Sequence, residues 1–344
     1  MKNCIKIALV IIGALIGAGF ASGQEIYLFF FSYGKKGILG IIVSSILLGI
    51  IIYKTIVIIK EKQITTYKEF LENIIPEKIR KEKILEIINT IINIFILITF
   101  YIMIAGFGGY LAETIEIPQI IGSSILAIIC IIIMSKETKG IVKVSEAIVP
   151  ILILFIIIIG IYTLSSTNII NKINEMEIVK GSNWLVSGVI YASYNSILLI
   201  PVLISINKII TKKEISKTAI IITLTTFILA ISIFISMLKI NVNIRKLEMP
   251  VSYVINTQLP KLKIEYGIVI LTSILTTAIS LIAGLIQNVK KENSKKVILY
   301  LICISSLPIS QIGFSALIKL LYPIFGYIGI LQIILISIKE RDKK

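Results

Sequence analysis

The chain has 344 residues, of which 56% are hydrophobic, and it carries a net charge of +16 at pH 7 with no histidine. This composition is more apolar than that of soluble domains. The lack of histidine removes the most common general base and metal ligand, so we do not expect an enzyme. The three cysteines, Cys4, Cys130 and Cys303, form no C-x-x-C pair, which argues against a disulfide framework or a metal site.

Long charge-free runs of Ile, Leu and Val recur along the whole chain. About 20 such residues cross the roughly 30 Å hydrocarbon core of a bilayer as a helix, and the runs lack the alternation of barrel strands. The pattern predicts an all-α membrane protein, with residues 1–344 forming a single integral membrane domain of ten spans. The predicted spans cover residues 5–33, 37–53, 84–112, 118–134, 141–164, 184–207, 215–238, 263–287, 297–310 and 315–338.

The lysine and arginine residues test this count. If the N-terminus is cytoplasmic, 25 of the 35 basic residues fall in inside segments and 9 in outside segments, as the positive-inside rule requires. Both termini are therefore predicted to be cytoplasmic. The same placement assigns the positive charge to contact with membrane lipid, so lipid is an expected partner and nucleic acid is not.

Two connecting segments are long. Residues 60–83 carry charges with apolar residues at helical spacing, which predicts a cytoplasmic amphipathic helix at the membrane interface. Residues 239–262 contain "PVSYVINTQLP", which predicts a short helix on the outer face, with a role as a lid as a hypothesis. The alternative for both segments is an ordinary connector.

The ten predicted spans divide into two groups of five, over residues 5–164 and 184–338. Because five is odd, the second group starts on the opposite side of the membrane, so related halves would form an inverted repeat. Many secondary transporters are built in this way, with interrupted helices at corresponding positions of the two halves around a binding site at mid-membrane.

The first span of each half carries such an interruption, which predicts that spans 1 and 6 are discontinuous. In the first span, glycines let the chain leave helical geometry, so that freed N–H groups bind a carboxylate and freed carbonyls bind a cation or an ammonium. An α-amino acid carries both groups. The alternative for the glycines alone is close helix packing. The two segments are Gly17, Ala18, Gly19, Phe20, Ala21, Ser22 and Gly23, and Tyr191, Ala192, Ser193, Tyr194, Asn195 and Ser196.

Three stretches, "IGAGFASGQEI" at 16–26, "IAGFGGYLAE" at 104–113 and "LLYPIFGYIGILQ" at 320–332, resemble the YkvI-type bacterial membrane proteins. That group is placed with amino-acid permeases in the amino acid–polyamine–organocation (APC) superfamily, which has the LeuT-like fold. The resemblance covers essentially the whole chain. It implies that the two interrupted segments bind the substrate in a bacterial cytoplasmic membrane, and that an aromatic residue of the third span, Tyr101 or Phe107, closes the pocket.

The resemblance also implies a sodium site in sodium-coupled members, built from carbonyls of the first span, here Ile16 and Gly19, and hydroxyls of the eighth. Thr276, Thr277 and Ser280 are spaced so that their hydroxyls share a helix face. The alternative is that these hydroxyls bond back to their own helix or to a neighbouring one. No cofactor other than sodium is expected.

Glu25 is an ionisable residue within a predicted span. Such a residue is a functional hypothesis by default, here proton coupling. The alternative is that Glu25 braces the outer half of the first span against a polar neighbour.

We therefore predict a secondary transporter for an amino acid or similar small amine-containing solute, working by alternating access and coupled to sodium or protons. The alternative is a nutrient or germinant receptor subunit of the same fold that binds an amino acid without moving it. A coupling site of the kind given by Thr276, Thr277, Ser280 and Glu25 favours transport.

Overall fold

The computed structural model describes residues 2–77, 80–135, 141–166, 168–176, 178–179, 181, 183–207, 209–287, 289 and 292–339, without the side chains at 2, 135, 141–148, 287, 292, 293 and 339. Throughout these residues the regular structure is helical, with fifteen α-helices joined by short 3₁₀ turns. The helices are α1 (Lys2–Leu15), α2 (Ala18–Ala21), α3 (Gln24–Phe29), α4 (Lys36–Lys62), α5 (Tyr67–Ile74), α6 (Glu82–Ile115), α7 (Gln119–Ser135), α8 (Ile141–Ser166), α9 (Ile169–Asn174), α10 (Trp184–Ser205), α11 (Ile215–Ser236), α12 (Pro250–Gln258), α13 (Lys263–Gln287), α14 (Glu292–Ser310) and α15 (Phe314–Lys339).

Among the described residues, seven helices are long and apolar enough to cross a membrane, namely α4, α6, α8 from Val149 onward, α10, α11 with its flanking turns, α13 and α15. They coincide with seven of the ten predicted spans. The other three positions are occupied by α1 with α2 and α3, by α7, and by α14. Because α1 and α7 are shorter apolar helices, the total of ten spans stays a prediction.

The outer faces of these helices are apolar. Ile46, Ile94, Leu154 and Leu224, on four different helices, are each between 48% and 58% exposed. Exposed apolar surface of this extent marks a membrane or partner interface, and its spread over the long helices fits a surface that faces lipid.

Small residues bring the helices into close contact. Gly49 of α4 lies against Thr223 of α11, and Gly160 of α8 lies against Ser232, which is also in α11. Gly329 of α15 lies against the backbone of α10. Helices in lipid associate through such close packing, since lipid is as apolar as the helices themselves. As a result α10 is enclosed between α4, α15 and α1.

The first helical segment is divided twice. Helix α1 ends at Leu15, Gly17 has an extended backbone with φ −81° and ψ −171°, and α2 covers only four residues. A second division at Gly23 precedes α3, where φ is +86°. This left-handed conformation favours glycine, and a Cβ there would also lie 2.9 Å from the Val251 side chain. The backbone of residues 16–23 therefore leaves the α-helical path at two points.

The predicted break in the sixth span is wrong, because α10 is helical from Trp184 to Ser205. The polar side chains that prompted the prediction bond within their own helix. The Ser193 hydroxyl donates to the Val189 carbonyl at 2.7 Å, the Asn195 amide to Tyr191 at 3.0 Å, and the Ser196 hydroxyl to Ser193 at 2.7 Å. Polar side chains satisfied in this way need no opening of the helix.

The two long connectors each contain the predicted short helix. In α5, Phe70, Leu71 and Ile74 are buried, and the Glu69 carboxylate accepts the Thr65 N–H at 2.8 Å. That backbone hydrogen bond lowers the pKa of the Glu69 carboxyl and fixes the start of the helix. Helix α12 begins with Pro250, which suits a first helical position.

The orientation in the membrane and the inverted repeat of 5–164 and 184–338 stay predictions. Several of the basic residues that support the orientation, including those at 136, 139, 208 and 340–344, lie outside the described residues.

Candidate functional site

The divided segment at residues 16–23 is buried. Ala18, Ala21 and Ser22 have no exposed surface, and Phe20 is 2% exposed. Non-helical backbone within a membrane span is tolerated where protein encloses it, and the burial of this segment meets that condition.

Helices α6 and α13 surround the first division. A Cβ placed on Gly17 would lie 3.5 Å from Thr277 Cγ2 and 3.9 Å from Met103 Sδ. A Cβ placed on Gly106 would lie 3.3 Å from Ala18 Cβ. The small residues thus allow α6 and α13 to approach the divided segment closely, so the packing alternative for the glycines also has support.

The division changes the hydrogen bonding of this segment. In a helix of four residues, the N–H groups of Ala18, Gly19 and Phe20 have no helical carbonyl to bond to. Several carbonyls are met by donors from other elements. The Ile16 carbonyl accepts the Ser273 hydroxyl at 2.8 Å, and the Ala21 carbonyl accepts the Tyr266 hydroxyl at 2.8 Å.

Sequence reasoning did not identify Ser273 and Tyr266. A signal was present, because Tyr266, Ser273, Thr277 and Ser280 are spaced by seven, four and three residues. That spacing places all four on one face of α13, the face that meets the divided segment.

A cavity of about 220 Å³ lies beside this segment, between α1, α6, α10 and α13. It is many times larger than the ~10–15 Å³ that one water molecule needs. Thr277 lines the cavity and would also contact a Cβ placed on Gly17, so this residue lies between the cavity and the division. The other lining residues used below are Gly13, Thr99, Pro201, Ser205, Thr276, Ser280 and Gly284.

The three hydroxyls of the predicted sodium site behave differently. Thr276 donates to the Ser273 carbonyl at 3.0 Å and Ser280 donates to the Thr276 carbonyl at 2.9 Å, as the back-bonding alternative predicts. The Thr277 hydroxyl is buried and has no hydrogen-bond partner among the described residues. The Gly19 carbonyl accepts the Ser22 hydroxyl at 3.1 Å. The geometry brings Thr277 to the division, while the sodium site itself stays a prediction.

A second polar centre lies at Glu25, which is 4% exposed. The Tyr194 hydroxyl donates to its carboxylate. A Cβ on Gly19 would lie 2.9 Å from Glu25 Cδ, so the carboxylate occupies the space that this glycine leaves open. No Lys or Arg of the described residues forms an ion pair with Glu25. The bond to Tyr194 agrees with the bracing alternative, and proton coupling stays a prediction.

Aromatic rings enclose this carboxylate. Tyr194 has its ring 5.5 Å from Phe29, 5.5 Å from Tyr191 and 4.7 Å from Tyr322, measured between centroids. Tyr322 was not identified from the sequence as a site residue. The cluster joins α3, α10 and α15, and it brings the predicted residues Tyr191 and Tyr194 to the first helical segment.

The other predicted residues of α10 lie elsewhere. Ser193 packs against Gly329 of α15, and the Ser196 hydroxyl accepts the Gln332 amide at 3.4 Å. Ala192 is fully buried, and Asn195 is bonded within its own helix.

The assignment of Tyr101 to the pocket is corrected. The Tyr101 and Ser305 hydroxyl oxygens are 2.7 Å apart, so Tyr101 faces α14. Each residue turns a helix by about 100°, and the residue of α6 that contacts the division is Met103, two positions later. Tyr101 therefore lies on nearly the opposite face. The role of Phe107 stays a prediction.

Comparison with known proteins adds two relatives and a fold. No protein-family model matches the chain. It is 28% identical over 337 residues to the membrane protein YkvI of Bacillus subtilis strain 168, covering 94% of this chain and 92% of YkvI. It is 24% identical over 329 residues to YyaD of the same organism, covering 95% of this chain and 94% of YyaD.

Among solved structures, the chain is similar to Mhp1, a transporter of the nucleobase-cation-symport-1 family, in a closed conformation with bromovinylhydantoin bound. The TM-score is 0.54 with 13% sequence identity, and the match covers 96% of this chain and 71% of that one. At this identity the likeness establishes a fold similar to that of a membrane transporter. The resemblance to YkvI-type proteins is confirmed.

Proposed function

We propose that this protein is a secondary active transporter that moves an amino acid, or a similar small amine-containing solute, by alternating access. The observation that carries the proposal is the buried division at Gly17, where the first N–H groups of α2 have no helical carbonyl to bond to. Next to it lies Thr277, which lines the cavity and whose hydroxyl has no hydrogen-bond partner among the described residues. A fold similar to that of Mhp1 supports transport as the use of this arrangement.

The proposed substrate class follows from the groups at the division. The N–H groups of Ala18, Gly19 and Phe20 suit a carboxylate, because backbone donors at the start of a helical turn favour negative charge. For the amine, the Glu25 carboxylate against Gly19 supplies the nearest acidic group on the same segment. A zwitterion would satisfy both.

Two coupling ions are compatible with these residues. Sodium would be held by the Thr277 hydroxyl with backbone oxygens such as those of Ile16 and Gly19, since oxygen ligands suit this ion. A proton would be carried by Glu25. The unpaired Thr277 hydroxyl favours sodium, since Glu25 already has a partner in Tyr194.

Alternating access is supported by an asymmetry around the division. On one side, residues of the 239–262 connector cover it. The Val251 N–H donates to the Ser22 carbonyl at 2.9 Å, and the Gln24 amide donates to the carbonyls of Leu247 and Glu248. On the other side lies the cavity lined by Gly13 and Ser205. This arrangement fits the predicted lid on the connector side, and the solute would then enter through the cavity lined by Gly13 and Ser205.

The first experiment is a thermal-shift screen of the purified protein against amino acids, in sodium and in potassium buffers. A ligand that binds only the native state raises the melting temperature. We expect at least one amino acid to do so, with a larger shift in sodium. A wild-type protein that binds an amino acid but fails to import it into proteoliposomes would contradict transport.

The second experiment tests the location of the site with Gly17→Ala. The new Cβ would make ordinary contact with Thr277, 3.5 Å from Cγ2 and 3.7 Å from Oγ1, so the fold is retained while the hydroxyl is covered. Losing one such contact to an ion costs about 1.5–3 kcal/mol, so we expect at least a tenfold weaker response to sodium.

The matched control is Gly109→Ala, whose Cβ would be 3.9 Å from Phe314 Cβ and away from the cavity. Uptake by this variant should equal that of the wild type. Equal uptake by both variants would place the site elsewhere.

A further inference from the structure

A second cavity, of about 420 Å³, lies beneath the connector helix α5. Its walls come from α5, α6, α10 and α15. They are almost entirely apolar, and consist of Leu71, Ile74, Ile88, Ile91, Ile92, Ile197, Tyr327, Ile328, Leu331, Gln332 and Leu335. It is separate from the cavity at Gly17, with which it shares no lining residue.

The cavity is continuous with the apolar outer surface of the helices. Ile91 of α6 is 37% exposed, while Tyr327 and Leu331 of α15 are 61% and 56% exposed. The deep wall is formed by Leu71, Ile92 and Ile197, which are buried. The opening therefore lies between α6 and α15, on the surface that faces lipid, and the interior is lined for an apolar guest.

The roof of the cavity is fixed in place. The Tyr67 hydroxyl donates to Gln332 Oε1 at 2.6 Å, and Gln332 Nε2 donates to the Ser196 hydroxyl at 3.4 Å. At the start of α5, the Thr66 hydroxyl accepts the Glu69 N–H at 3.2 Å. The first two bonds link α5 to α15 and α15 to α10 across the cavity, and the third fixes the start of α5.

Two basic residues precede the cavity wall along α6. Lys81 and Lys83 are exposed at the start of α6. Lys81 precedes Ile88 by two helical turns on the same face, which is about 10 Å at 1.5 Å per residue. Because Glu82 and Glu86 alternate with these lysines, we expect contact with a phosphate but no selection for a headgroup of net negative charge.

We propose that this cavity binds one membrane phospholipid, with an acyl chain inserted between α6 and α15 beneath α5 and the phosphate near Lys81 and Lys83. The proposal is independent of the transported solute, because it uses a different cavity. It makes the lipid a structural ligand of α5 and, through Gln332 and Ser196, a neighbour of α10.

The test uses the full chain in phosphatidylcholine vesicles containing a phosphatidylcholine with a photoreactive diazirine at the end of one acyl chain. After illumination, mass spectrometry identifies the labelled residues. We expect label on the buried residues Leu71, Ile92 and Ile197, which bulk lipid does not reach. Label confined to exposed residues such as Ile94 would overturn the proposal.

Two variants separate the cavity from general lipid contact. Ile91→Trp fills the opening and should abolish labelling of the three buried residues. Ile94→Trp, on the same helix and 48% exposed, lies outside the cavity and should leave that labelling unchanged. Undiminished labelling of the buried residues in Ile91→Trp would also overturn the proposal.

Discussion

Glu25 is the residue whose environment most constrains the mechanism. It is buried, bonded to one tyrosine hydroxyl and without an ion pair among the described residues. A buried carboxylate without a cation is costly in its charged form. A proton or a nearby cation would lower this cost, and in the proposed transporter either one would connect Glu25 with the solute or with the coupling ion.

If uptake by the wild type depends on pH, we predict that Glu25→Gln removes that dependence. Glutamine keeps the size of the side chain and an acceptor for Tyr194, but it cannot exchange a proton. The measurement is initial uptake in proteoliposomes over a range of pH. Glu265→Gln, at an exposed position on α13, serves as the control and should keep the wild-type profile. A wild-type profile in Glu25→Gln would rule out proton coupling through this residue.

The two predicted helix breaks rested on different residue types, glycine in the first span and polar side chains in the sixth, and only the first break is present. At Gly23 the backbone takes a left-handed conformation that residues with a side chain disfavour, whereas the extended backbone at Gly17 is open to any residue and the helix is divided there all the same. At Ser193, Asn195 and Ser196 the signal was polarity, but each side chain donates to a carbonyl of its own helix. Polarity alone therefore does not predict where a membrane helix opens.

At the scale of elements, the connector that contains α12 is held to the first helical segment by backbone groups. Gln24 donates to two carbonyls of the connector, those of Leu247 and Glu248, and Val251 donates to Ser22. Glu248 in turn accepts the N–H of Ser315 at 2.7 Å, at the start of α15. The connector thus links the divided segment to α15, and in the proposed alternating-access cycle these bonds would have to break for the site to open on this side.

We predict that Gln24→Met loosens the connector without unfolding the protein. Methionine keeps the volume of the side chain but loses the two hydrogen bonds, each worth about 1 kcal/mol. Hydrogen exchange of residues 247–258 should become roughly tenfold faster or more. In the control, Gln311→Met at an exposed position of the chain, exchange in this segment should not change. An unchanged rate in Gln24→Met would mean that other contacts hold the connector.

The same scale shows why α5 and α12 were predictable while their contacts were not. Apolar residues at helical spacing mark α5, and an initial proline marks α12. Their partners are distant in sequence, as for Tyr67 with Gln332 and Gln24 with Leu247. Residue types and spacing carry local information, and such pairings depend on how the long helices pack.

At the scale of the whole molecule, the helical class and the positions of seven long apolar helices follow from hydrophobic runs alone. Hydrophobic runs alone do not decide whether the shorter helices cross the membrane. Helix α7 has 17 residues, which at 1.5 Å per residue is about 25 Å, slightly less than the roughly 30 Å hydrocarbon core. The number of spans, and with it the inverted repeat, depends on such helices.

Site-directed labelling decides this point, because all three native cysteines are buried and give little background. Lys62→Cys and Lys246→Cys each add one thiol at an exposed position, at the end of α4 and after α11. Five predicted spans lie between them, including α7. The two thiols are therefore expected on opposite sides, with Lys246→Cys labelled from outside by an impermeant maleimide and Lys62→Cys labelled only after the cells are made permeable. If α7 does not cross, four crossings remain and both thiols react from the same side. Labelling of Lys62→Cys alone would instead keep the odd number of spans and reverse the orientation that the lysine and arginine distribution predicts.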